Sequence, residues 1–82
     1  MTSQLRRAAV SIAANVAEGA GRGADGDYRR FVQIAIGSAF ECETHLTLAQ
    51  DVGLIDSVEG MSLIKDIEEI KQMLHGLARS LR

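Results

Sequence analysis

Leu5, Ala9, Ile12 and Val16 recur at steps of four, three and four residues, the spacing that sets side chains on one helical face. Ala8, Ala13 and Ala17 widen that face with small side chains, over which a neighbouring helix can pack closely. Thr2 or Ser3 offers a capping hydroxyl at the start. The pattern fades at Glu18, and Gly19 suits the left-handed conformation that closes a helix. A second pattern starts after Asp25 or Asp27, either of which can act as an N-cap. It runs through Tyr28, Phe31, Ala35, Ser38, Cys42, His45, Ala49 and Val52, with Val32, Ile36, Ala39 and Leu46 as a parallel stripe. A helix apolar on more than one side is a central one, or faces a second subunit. Gly53 and Leu54 read as a Schellman stop, and Asp56 and Glu59 have capping-box spacing. The third helix carries Leu63, Ile67, Ile70, Leu74, Leu77 and Leu81 as its seam, with Lys65, Glu68, Glu69 and Lys71 off it as a solvated face.

These elements predict an all-α, antiparallel up-and-down bundle with three helices in one domain, residues 1–82. The second and third helices each cover about 25 residues, roughly 37 Å at the helical rise, while the first covers about 16, roughly 24 Å. The short connection around Gly53 makes the longer pair antiparallel. The first helix cannot cover that hairpin, so a groove is left for something else to fill.

Composition sharpens this expectation. Of the 82 residues 46% are apolar, yet only three are aromatic and many are alanine, so the core is marginal unless a partner subunit adds to it. Cys42 is the one cysteine, which rules out a disulfide framework and makes a reducing cytoplasm the expected setting. Arg6-Arg7 followed by AAVSIAANVA has the outline of a signal peptide, but Ser11 and Asn15 interrupt it, and its removal would leave only two helical patterns. No run approaches the roughly 18 apolar residues of a membrane span.

Residues 1–32 carry five arginines against Glu18, Asp25 and Asp27, whereas residues 33–82 carry four basic groups against eight acids. The basic end names Arg6, Arg7, Arg22, Arg29 and Arg30 as candidate contacts to RNA or DNA. Between the first two helices GRGADG (Gly21–Gly26) satisfies G-x-G-x-x-G. A dinucleotide fingerprint needs a strand before it, and here a helix precedes it, so the glycines are read as an interhelical loop. Glu41, Cys42 and His45 are helical neighbours, but three convergent ligands are the minimum for a metal, and no metal or other cofactor is expected. Glu41 lies between apolar stripes and is expected to pair with Arg6 or Arg7. Asn15 and Glu18 take polar or capping roles at the end of the first helix, with a subunit contact as the alternative. No nucleophile–base pair survives inspection, so no catalytic residue is assigned and an enzyme is not expected.

SQLRRAAVSI, NVAEGAGR, the run FVQIAIGS and ECETHL carry a resemblance across nearly the whole chain. Together they resemble the 23S ribosomal RNA intervening-sequence proteins, also called the four-helix bundle protein family. The resemblance implies an antiparallel four-helix bundle that assembles into a homo-oligomeric ring, usually a pentamer, without catalytic residues. A related branch, the accessory variability determinant of diversity-generating retroelements, forms a basic pentameric barrel that binds nucleic acid and a reverse transcriptase. Family members usually have a further amphipathic helix before the segment that begins here at Met1, so other subunits are expected to cover part of the gap. The expected function is therefore a cytoplasmic, oligomeric scaffold with neither a membrane nor a small-molecule substrate as partner. A nucleic-acid-binding accessory factor using the arginines is the alternative.

Overall fold

The computed structural model describes residues 2–81 and resolves them into α1 (Thr2–Ala20), α2 (Asp25–Asp51) and α3 (Ser57–Ser80). At 19, 27 and 24 residues the helices are about 28, 40 and 36 Å long. Thr2 and Ser3 are already helical, and the position before them lies outside the described residues.

The ends of the helices follow local chemistry. The Asp56 side chain accepts from the Glu59 N–H at 2.9 Å, as the capping-box spacing requires. Gly53 takes φ +80, and the stop after α2 carries both Schellman bonds, Leu54 N–H to Ala49 O at 2.8 Å and Gly53 N–H to Gln50 O at 3.1 Å. The start of α2 differs from expectation. Ala24 occupies the N-cap position with no side-chain bond, and Asp25 and Asp27 sit inside the first turn, where a carboxylate meets the positive end of the helix dipole.

Gly19 also corrects the reading. It does not close α1, which continues to Ala20; it is buried where α1 meets α2. A Cβ there would lie 2.8 Å from Phe31 Cβ and 3.0 Å from the Tyr28 ring. Glycine is required at this point because two backbones approach, and the reversal is made four residues later at Gly23, with φ +81.

α2 is the central helix. Both of its stripes turn inward, burying Val32, Ala35, Ala39, Cys42, Leu46 and Ala49, while Val52 at its end is exposed. Ile12 and Val16 of α1 and Ile70, Leu77 and Ala78 of α3 pack on the cluster formed by Val32, Ala35, Ala39 and Leu74. Among the described residues, no Cα of α1 comes within 8 Å of one in α3. The result is a flattened body, 43 × 22 × 12 Å in Cα extent. On α1 the expected Leu5, Ala8, Ile12 and Val16 are buried or half-buried and are joined by Ser11, Asn15 and Gly19, whereas the expected Ala9, Ala13 and Ala17 are exposed.

Candidate functional site

The five candidate arginines fall into two groups. Arg22, Arg29 and Arg30 cluster at the turn between α1 and α2, while Arg6 and Arg7 lie in the first turns of α1, about 22 Å away along the helix. At the turn, Phe31 organises the cluster: the Arg22 guanidinium stands 5.2 Å and that of Arg30 5.0 Å from its ring centroid. Arg22 also pairs with Glu18 at 3.1 Å. Among the described residues, Arg29 and Arg30 have no carboxylate within 4.0 Å. Segment 18–30 nevertheless balances, because Glu18, Asp25 and Asp27 match the three arginines in number. The GRGADG loop is preceded by a helix, and no strand occurs among the described residues, so the setting of a dinucleotide site is missing.

Glu41 does not form the expected pair with Arg6 or Arg7. Its side chain is 62% exposed, and its one ion-pair contact among the described residues is His45 Nε2 at 3.8 Å. The physical reason is position: Glu41 lies on the flank of α2 that α1 does not cover, so nothing desolvates it into a close pair. Arg7 and Gln4 of α1 face Glu41 and His45 across a cleft of about 440 Å³. His45 is largely buried, and its Nδ1 has no hydrogen-bond partner among the described residues. Cys42 lies on the adjoining, buried face, where burial and then the nearby Glu41 charge push its thiol above the usual range. The three groups therefore do not converge as metal ligands, and no cluster of three His, Cys, Asp or Glu suited to a metal occurs among the described residues.

Asn15 and Glu18 are internal to the chain's own structure. Asn15 Nδ2 donates to Ser11 O at 2.8 Å and to Ser11 Oγ at 3.0 Å, and Ser11 Oγ meets Ser38 Oγ at 2.8 Å across the α1–α2 seam. Glu18 holds Arg22, as above.

Sequence reasoning missed one cluster. Lys71 is not on a solvated face: it is 8% exposed and reaches Glu43 Oε2 at 3.1 Å and Glu68 Oε1 at 2.7 Å. Its ammonium also stands 4.3 Å from the Phe40 ring centroid. The hydrogen bond to Glu68 raises the Lys71 pKa above the ordinary lysine value, overcoming the opposing effect of burial, with Glu43 adding to the rise. Glu68 is held below the usual carboxylate range, first through the neighbouring Glu43 carboxyl and then by Lys71. The signal was present in part: Lys71 lies three residues before Leu74, on the same side of α3, with Glu68 three before it.

The fold defines an all-α helical-bundle protein, and no described helix is long and apolar enough to cross a membrane. The chain belongs to the 23S rRNA-intervening sequence protein family, whose model matches residues 1–76. Among solved structures it is similar to the crystal structure of a protein of unknown function from the S23 ribosomal protein family of Bacteroides thetaiotaomicron VPI-5482. The two share 28% identity and superpose with a TM-score of 0.90, over 95% of this chain and 72% of that one. No curated protein matches it.

Proposed function

We propose that the chain is a non-enzymatic, self-assembling scaffold that works in the cytoplasm as a homo-oligomer. One observation carries the reading: α1 and α3 flank α2 without meeting, and the apolar stripes that border the gap are incompletely covered. Of Leu5, Ala9, Ile12 and Val16 on α1 and Leu63, Ile67, Ile70, Leu74 and Leu77 on α3, with Leu81 just beyond it, only Leu74 is buried. Apolar area left in water forfeits about 25 cal/mol per Å², so covering the gap with another copy is favourable. Five copies in a ring is the number the family resemblance implies. Native mass spectrometry of the purified protein at micromolar concentration tests the reading; oligomers are expected, and a folded lone subunit would overturn it.

A second reading is favoured by Arg29 and Arg30, whose guanidinium groups have no carboxylate within 4.0 Å among the described residues, at the N-terminal end of α2. A nucleic-acid phosphate fits there, and an assembly would repeat the contact in every copy. The carboxylates of segment 18–30 rank it below self-assembly. Filter binding at low salt decides it: retention that falls steeply with added salt supports the reading, and no retention removes it.

A further inference from the structure

The cleft between α1 and α2 holds polar groups whose bonding capacity is unspent. It is an open surface cleft of about 440 Å³, lined by Gln4, Arg7, Glu41 and His45. Among the described residues, Arg7 has no carboxylate within 4.0 Å, and Gln4 makes no side-chain hydrogen bond. Glu41 and His45 Nε2 are 3.8 Å apart, too far for a hydrogen bond. The buried His45 Nδ1 has no hydrogen-bond partner among the described residues, and Nε2 is the ring nitrogen nearest Glu41.

The charges stand on opposite walls, Arg7 on α1 and Glu41 on α2. A simple anion would be drawn by Arg7 and repelled by Glu41, and a simple cation would meet the reverse. Only a ligand with both charges a few bonds apart is attracted by both walls. We propose that this cleft binds a small zwitterion of the α-amino-acid type. Its carboxylate is taken by Arg7, whose parallel N–H groups match the two oxygens, with Gln4 as a further donor. Its ammonium pairs with Glu41, and His45 Nε2–H gives the carboxylate a third donor. The ligand thereby ties the first turns of α1 to the middle of α2. All four lining residues belong to one chain, so the site needs no residue from a second copy.

The test is an NMR titration of the full isotopically labelled chain with L-alanine, followed at the backbone of residues 4–7 and 41–45 and at the His45 ring. Sodium acetate and methylammonium chloride serve as single-charge probes at matched ionic strength. A saturable L-alanine shift is expected, with each single-charge probe at least about tenfold weaker. Arg7→Gln and Glu41→Gln alter exposed side chains, so both variants should keep the native spectrum while losing at least about tenfold in affinity. Acetate binding as tightly as L-alanine, full affinity in the Glu41→Gln variant, or no saturable shift at about 20 mM ligand would each overturn the proposal.

Discussion

Helix α2 is gripped on its two sides by different means. Against α1 the contact is made of small groups: Ser38 meets Ser11 oxygen to oxygen at 2.8 Å, and Gly19 lets the backbone of α1 come down onto Phe31 and Tyr28. Against α3 the reach is long, with the Lys71 chain stretched along the interface to bridge Glu43 and Glu68 beside Phe40. The first seam is set by steric fit and has no room for an added atom. The second is set by charge and depends on pH and salt. Close approach gives α1 a fixed position from little apolar area, whereas α3 gains its position from a cation whose stem packs while its head is neutralised.

Volume should break the first seam. Gly19→Val places branched carbons against Phe31 and is expected to cost about 3 kcal/mol in urea unfolding, well beyond the helix-propensity gain of about 0.5 kcal/mol over glycine. An unchanged or raised midpoint would show that the helices are not in close contact there. Removing charge should loosen the second. Lys71→Met keeps the stem and deletes the charged bonds, for an expected loss of about 2 kcal/mol by the same measurement.

pH sharpens the contrast further. The Lys71 pKa is raised in the fold, so its contribution is whole below the unfolded value of 10.5 and declines as pH rises through the folded value. That of Glu68 is lowered, so its contribution is present above the unfolded value of 4.5 and is lost as pH falls through the folded value. A stability profile recorded across both limits should therefore fall at each end, and should flatten in the Lys71→Met variant. The smallest effect belongs to Ser38→Ala, about 1 kcal/mol, because Ser11 retains its bond with Asn15. High salt should leave the Ser38→Ala difference unchanged while shrinking the Lys71→Met difference.

The stripes of α2 and α3 were legible because large aliphatic residues at helical spacing have one sensible direction to face. Alanine is ambivalent: Ala9, Ala13 and Ala17 matched a stripe as well as Ala8 did, yet the structure turns Ser11 and Asn15 inward, where each finds a hydrogen bond. Gly19 read as a stop because glycine at the end of a pattern carries the same letter for a turn and for a close contact. Only the position of Phe31, 12 residues later, separates the two. Lys71 and Glu43 are 28 residues apart, so their pairing depends on the register of a hairpin that periodicity does not set. Glu41 erred in the other direction: its flanking apolar residues suggested cover, but α1 passes beside it rather than over it. Local signals fixed the capping at Asp56 and the stop at Gly53, because those depend on neighbours in the chain alone.

Cys42 turns this architecture into its own stopwatch. A thiol that is 1% exposed and held in its protonated form is inert toward alkylating reagents while the helices stay together. Labelling therefore proceeds only through moments when the sulfur meets solvent, and its rate under native conditions counts how often the layers part.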